Sequence, residues 1–251
     1  KEKFTFIDLF AGCGGLSEGF LSSSFFEGLA HVEWELPMVS TLRDRLEKKW
    51  KHTEEEAFKR VVHFDIQKTK ELINGSWDKE TKEVYRETNH DDFVLGGLKK
   101  IINNKKVDFI IGGPPCQAYS IAGRAQDKNS MKDDYRNFLF ESFVKVVEEF
   151  QPKAFVFENV PGMLSAEPGG VKVTERVFEA FEKIGYIISK PDELKNRVYV
   201  ANDFGVPQKR RRLIIVGIKK GTSTNLAELY KKIDSQKEEK KSTVKDILEN
   251  L

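Results

Sequence analysis

Cysteine is scarce: the chain has two in 251 residues, Cys13 and Cys116, both set among glycines and prolines. Two cannot build a disulfide framework, so the chain reads as a reduced, intracellular protein, cytoplasmic if prokaryotic. Histidine is scarce too, with four in all, and none lies near Cys116 in sequence to serve as its base. Nothing therefore supports a Cys-His protease. No stretch approaches the roughly 18 unbroken apolar residues of a membrane-spanning helix, which excludes membrane embedding. The first apolar run, Phe4-Thr5-Phe6-Ile7, begins almost at once, so no signal peptide is expected. Internal repeats are absent, and no metal is expected. An excess of one charge is lacking as well, since 42 Lys+Arg against 40 Asp+Glu leave +2 with neutral histidines. Any nucleic-acid contact must then come from local clustering, and the densest cluster is Lys209-Arg210-Arg211-Arg212. The length suits one large domain, or a domain with a fragment of a second.

What is present is alternation. Apolar runs at Phe4–Phe10, Leu29–Trp34, Val107–Ile111, Ala154–Phe157, Arg197–Ala201 and Leu213–Ile218 each end in turn residues. Continuous runs bounded by Gly and Pro suit strands buried on both faces. Helical spacing lies between them: Phe140, Phe143, Val144 and Val147 share one face, as do Val177, Phe178, Phe181 and Ile184, with Gly185 placed as a stop. This is an α/β pattern. Residues 68–106 differ, being charged, with scattered apolar residues and a Gly96-Gly97 pair; they read as an insertion with some helix. From Asn225 the chain is mostly polar, and Thr243-Val244-Lys245-Asp246 resembles a capping box.

Four segments carry candidate chemistry. Asp8-Leu9-Phe10-Ala11-Gly12-Cys13-Gly14-Gly15 closes a strand and opens a helix. Its glycines allow a tight turn and close approach of a ligand. The spacing G-x-G-G fails the dinucleotide fingerprint and argues against a nicotinamide-dependent oxidoreductase, but it leaves room for an adenosyl ligand without a pyrophosphate. Phe10 offers a flat face and Glu33 an acceptor for ribose hydroxyls; a bare strand–helix turn is the alternative. Gly112-Gly113-Pro114-Pro115-Cys116-Gln117 follows another strand, and its prolines stiffen the approach to a thiol that is intrinsically nucleophilic. Cys116 could equally be a small buried hydrophobe. Glu158, at the end of Ala154–Phe157, could hand a proton to a substrate or only brace its turn. In Gln208-Lys209-Arg210-Arg211-Arg212, strand alternation sends Arg210 and Arg212 to one face, where guanidinium groups could bind phosphate or a base carbonyl; a solvated surface is the other reading.

Taken in this order, the four segments resemble the C5-cytosine DNA methyltransferase family. The matches are Phe6-Ile7-Asp8-Leu9-Phe10-Ala11-Gly12-Cys13-Gly14-Gly15, Gly113-Pro114-Pro115-Cys116-Gln117, Glu158-Asn159-Val160 and Gln208-Lys209-Arg210-Arg211-Arg212. Lesser matches are Glu33-Trp34, Asp65-Ile66 and Asp134-Tyr135-Arg136-Asn137-Phe138-Leu139. The resemblance implies a Rossmann-like S-adenosylmethionine-dependent methyltransferase fold, α/β, with a mixed, mostly parallel sheet and helices on both faces. It also implies that S-adenosyl-L-methionine is the cofactor and S-adenosyl-L-homocysteine its product. Asp8, Phe10, Ala11, Gly12, Cys13, Gly14 and Gly15 would form the cofactor cradle. Glu33 would hold the ribose, Trp34 would pack on the adenine, Asp65 and Ile66 would border it, and Pro115 and Leu139 would line the methionine end.

In the same resemblance Cys116 is the nucleophile, Glu158 contacts the cytosine N3 edge, and Arg212 binds O2 with Arg210 nearby. Gln117, Ser120, Arg124 and Gln208 would touch substrate DNA. The expected partner is double-stranded DNA, with a cognate restriction endonuclease in a restriction-modification setting, or an epigenetic setting instead, and the chain is expected to be a monomer. The alternatives are a transfer-RNA cytosine-5 methyltransferase and a catalytically idle cofactor-binding scaffold. Residues 1–224 read as the catalytic domain and 225–251 as a charged tail leading toward a target-recognition region. Neither that region nor the family's closing Gly-Asn segment is seen in the chain.

Overall fold

The computed structural model describes residues 2–115, 139–239 and 241–248. The chain divides into two compact units: Lys1–Pro114 with Phe138–Phe155, and Pro115–Asn137 with Val156–Leu251.

In the first unit, β1 (Phe4–Leu9), β2 (Phe26–Glu33), β3 (Val61–His63) and β4 (Phe109–Gly112) lie in the order β3-β2-β1-β4, and all three pairings are parallel. Phe6, Ile7, Leu9, Ile110 and Ile111 are fully buried, as expected of strands covered on both faces. From β1 to β3 the chain steps outward on one side, and β4 then returns to the other side of β1. Such a reversal of direction opens a crevice at the carboxyl ends of the two central strands. The glycine loop after β1 and the Gly-Gly-Pro-Pro turn after β4 both start there.

Helices α1 (Gly15–Ser22), α2 (Leu36–Lys48) and α3 (Glu54–Arg60) connect the first three strands. Val39, Leu42 and Leu46 of α2 recur at three-and-four spacing and pack with Ala11, Ala57 and Val61. The second strand runs three residues earlier than the sequence suggested and stops at Glu33. It stops because the Glu33 carboxylate takes the N–H groups of Trp34 and Glu35, which turns the backbone out of the ladder. β3 was not foreseen; three residues carry no periodicity to detect.

Residues 68–106 fold into α4 (Thr69–Asn74), α5 (Lys79–Tyr85), a 3-10 turn at Arg86–Thr88 and α6 (Asp91–Ile101). They share an aromatic core with Phe64, which stacks on Trp77 at 5.3 Å and meets Tyr85 and Phe93 at 4.9 and 5.3 Å. Gly75 and Gly97 both take left-handed backbone conformations, and a Cβ on Gly75 would stand 2.5 Å from the Gly97 nitrogen. The two backbones cross too closely for any side chain, which accounts for the Gly96-Gly97 pair. Helix α7 (Leu139–Phe150) buries Phe140, Phe143, Val144 and Val147, the face read from their spacing.

Strand β5 (Ala154–Asn159) begins in the first unit and continues into the second. In the second unit, β6 (Tyr186–Ile187) and β7 (Val198–Val200) each pair antiparallel with β8 (Arg211–Lys219). Helix α8 (Val173–Lys183) buries Val177 and Phe181 and ends before Gly185, whose φ of 90° suits only glycine well. Helix α9 (Leu226–Asp234) joins the core: Tyr230 packs with Tyr199, Val216 and Ile218, and its hydroxyl accepts the Val216 N–H at 2.9 Å. At α10 (Val244–Leu248) the capping box is present, with Thr243 N–H on Asp246 Oδ2 at 2.8 Å and Asp246 N–H on Thr243 Oγ1 at 3.3 Å.

Candidate active site

The glycine loop is built by left-handed residues. Phe10 (φ 59°), Gly12 (φ 55°) and Gly14 (φ 87°) turn the chain sharply between β1 and α1, and the Gly14 N–H closes the turn on the Ala11 carbonyl at 2.8 Å. The glycines differ in purpose. A Cβ on Gly14 would stand 2.5 Å from Leu42 Cδ1, whereas one on Gly12 would meet no atom of the described residues within 4 Å. Gly14 therefore admits α2, and Gly12 leaves an open loop surface. Ala11 is buried in the core, Cys13 is an exposed free thiol, and Gly15 is the first residue of α1.

Glu33 binds this loop to the end of β2. Its Oε2 accepts the Gly12 N–H at 2.7 Å, while Oε1 accepts the Trp34 and Glu35 N–H groups at 2.8 and 2.9 Å. The next residue, Trp34, leaves 54% of its surface exposed. Ile66 is buried, and Asp65 Oδ1 accepts the Gln67 N–H at 2.9 Å. Leu139 is buried at the start of α7, and Pro115 is exposed.

Asp8 requires a correction. It is fully buried and cannot line the loop surface, because β1 directs it into the interior behind the glycines. Its Oδ2 accepts the Ser17 hydroxyl at 2.5 Å, and the same hydroxyl lies 2.8 Å from His31 Nδ1. Desolvation pushes the Asp8 carboxyl up to about 7 and the His31 imidazole down to about 3. The three side chains tie β1, α1 and β2 together beneath the loop. Sequence reading missed Ser17 and His31; polar residues inside otherwise apolar elements were the available signal.

In the second unit, Glu158 near the end of β5 and Arg212 near the start of β8 form an ion pair, Nε to Oε1 2.5 Å, with side chains 21% and 25% exposed. Arg212 Nη1 also donates to the Arg211 carbonyl at 2.8 Å. Arg210 directly precedes the strand, which begins at Arg211; its carbonyl takes the Ala201 N–H and its own N–H reaches the Gln208 carbonyl, both at 2.8 Å. Gln208 and Arg210 are exposed. Cys116, Gln117, Ser120 and Arg124 lie outside the described residues. Among the described residues, no three His, Cys, Asp or Glu side chains are grouped to hold a metal, and no helix is long and apolar enough to cross a membrane.

The family model of C-5 cytosine-specific DNA methylases matches residues 4–76 and 62–251. The type II methyltransferase M.Bpa9945I of Bacillus paralicheniformis is 37% identical over 240 residues, covering 85% of this chain and 53% of that protein. The type II methyltransferase M1.HphI of Haemophilus parahaemolyticus is 35% identical over 224 residues, covering 89% and 48%. A crystal structure of a prophage-encoded DNA modification methyltransferase of E. coli aligns with a TM-score of 0.59 at 26% identity, covering 90% of this chain and 50% of that one. The chain thus spans about half the length of the curated relatives it matches. Its strands and helices form the α/β fold of S-adenosylmethionine-dependent methyltransferases, with parallel strands in the first unit and antiparallel additions in the second. From its glycine loop to its Glu158–Arg212 pair, the chain belongs to the C-5 cytosine-specific DNA methylase family.

Proposed function

We propose that the protein methylates C5 of a flipped-out cytosine in double-stranded DNA, using S-adenosyl-L-methionine and releasing S-adenosyl-L-homocysteine. The observation that carries this reading is the Glu158–Arg212 pair at 2.5 Å in a chain of this family. N3 and O2 are neighbours on one edge of cytosine, so a carboxyl and a guanidinium already in contact can serve both at once.

The first unit suits the cofactor. The open surface at Gly12, the exposed Trp34 indole and the Glu33 carboxylate beside the loop offer a backbone approach, a stacking face and a ribose acceptor. Phe10, Ala11, Cys13, Gly14 and Gly15 complete that cradle, Asp65 and Ile66 border the adenine, and Pro115 and Leu139 line the methionine end. Asp8 supports the loop from behind. When bound, the cofactor supplies a methyl group on a sulfonium, an electrophile that needs no acid to leave.

Cytosine C5 is too electron-poor to attack that methyl unaided. The Cys116 thiolate adds to C6, and the displaced π electrons become available at C5. Glu158 protonates or hydrogen-bonds N3, and Arg212 stabilises the charge gathering at O2, an oxyanion-type role. Once C5 carries the methyl, its proton leaves to a base and the Cys116 thiolate is eliminated, restoring the ring. The base must leave the duplex stack first, at a cost of about a few kcal/mol. Gln117, Ser120 and Arg124, together with Gln208 and Arg210, contact the DNA. Residues 1–224 act as the catalytic domain, and α9 packs on its core through Tyr230. A cognate restriction endonuclease is the expected partner, and the enzyme acts as a monomer.

The test is duplex DNA carrying 5-fluorocytosine at the target, incubated with the full-length protein and cofactor. Fluorine cannot leave as the proton does, so a denaturation-resistant adduct should accumulate and should vanish in Cys116→Ala. No adduct on DNA, with methyl incorporation into transfer RNA instead, would move the substrate to RNA. No adduct on either would leave only a cofactor-binding scaffold.

A further inference from the structure

We propose that residues 68–106 brace the cofactor wall, with Thr88 and Asn89 clasping His63 so that His63 fixes the Trp34 turn. The inference rests on the assignment of Glu33 and Trp34 to the adenosyl side of the cradle.

β3 ends the strand order of the first unit, and an edge strand of three residues leaves backbone groups unpaired. The insertion supplies their partners. Asn89 Oδ1 accepts the His63 N–H at 3.0 Å and Asn89 Nδ2 donates to the His63 carbonyl at 2.9 Å, so one amide side chain stands in for a neighbouring strand. Asn89 is itself buried, and its Nδ2 also donates to the Tyr85 carbonyl at 2.8 Å. Arg43 Nη2 donates to both the Val61 and Thr88 carbonyls, at 2.6 and 2.7 Å. On the opposite side, the Phe64 N–H reaches the Glu33 carbonyl at 2.9 Å.

The His63 ring then spans from the insertion to the cradle, with Nδ1 2.9 Å from Thr88 Oγ1 and Nε2 2.9 Å from the Trp34 carbonyl. Desolvation lowers the affinity of this ring for a second proton, and Arg43 adds to that effect against the backbone bond to Trp34 and the Glu33 and Glu35 carboxylates. A neutral imidazole has one N–H, and a carbonyl can only accept. The proton therefore sits on Nε2 and donates to Trp34, while Nδ1 lies against the Thr88 hydroxyl, which also reaches the Tyr85 carbonyl at 3.0 Å. Trp34 is held at both ends of its backbone, its N–H by Glu33 and its carbonyl by His63. The clasp is anchored by the aromatic packing of Trp77, Tyr85 and Phe93 on Phe64.

The experiment measures binding of S-adenosyl-L-homocysteine to the full-length protein by titration calorimetry, with KM and kcat alongside. His63→Leu should weaken affinity about fivefold, the worth of one ordinary hydrogen bond, raising the cofactor KM with little change in kcat. His63→Gln, whose side-chain amide can reach the same carbonyl, should restore affinity. Asn89→Ala should shift affinity in the same direction as His63→Leu. Lowered melting temperatures with wild-type affinity in His63→Leu and Asn89→Ala would overturn the inference, leaving these residues purely structural. Failure of the wild type to bind S-adenosyl-L-homocysteine would overturn the cofactor assignment, and this inference with it.

Discussion

Asp8→Asn should make the protein relatively more stable in alkali. Asp8 is wholly buried; its Oδ2 has the Ser17 hydroxyl, and its Oδ1 is buried with no partner among the described residues. Desolvation outweighs the Ser17 hydrogen bonds and pushes its carboxyl from 3.8 up to about 7. Between those values the folded chain keeps a proton that the unfolded chain has released, so stability is full below the unfolded value and falls as pH rises. The loss is roughly 1.4 kcal/mol per pH unit, about 4 kcal/mol over the whole window, and it levels off above the folded value. Asparagine has the same shape and no proton to lose. Urea unfolding of both proteins at pH 5 and pH 8 isolates the effect, because titrations common to both chains cancel in the difference. His31, pushed down to about 3, is neutral in the folded state at either pH. Moving from pH 5 to pH 8 should shift the difference toward the variant by roughly 3 kcal/mol. A difference that does not change with pH would refute the reasoning.

Other substitutions probe other links. Glu18 is held near 2 chiefly by Arg45, with Lys49 and the Trp50 indole also on its carboxylate. Its contribution is present above the unfolded carboxylate value and lost as pH falls toward 2. Glu18→Gln should therefore melt below the wild type at pH 7, with the gap closing in acid. Tyr230→Phe strips the acceptor from the buried Val216 N–H and should cost about 1–2 kcal/mol in chemical denaturation, without changing cofactor affinity. Arg212→Lys keeps the charge but loses the planar fork, and should lower kcat about a hundredfold in single-turnover assays while leaving cofactor binding near normal.

Much of the fold was legible because buried strands and amphipathic helices write their burial into composition. The runs at Phe4, Ala154 and Leu213 became strands, and the spacings at Phe140 and Val177 became buried helix faces. β3 and β6 were invisible, since two or three residues have no period and are held by partners distant in sequence. The stretch after Asn225 hid a core helix because its apolar face, Leu226, Leu229, Tyr230 and Ile233, is interleaved with charged residues that make the composition read as polar. Site residues followed the same division. Gly12, Glu33, Glu158 and Arg212 stood at strand ends, where motif and position coincide. The helpers Ser17, His31, His63 and Asn89 sit in no motif, and their roles are defined by what lies across from them.

By itself the sequence determined the element types, the order of the chemical groups and the family, because side-chain period and motif spacing are local properties of the chain. Only the tertiary structure decided which polar atoms meet. It took Asp8 from the loop surface into the interior and joined residues 68–106 to Trp34 through one histidine ring. Burial and hydrogen bonding between residues far apart in the chain depend on where strands end and which edges are left open, and no local pattern encodes either.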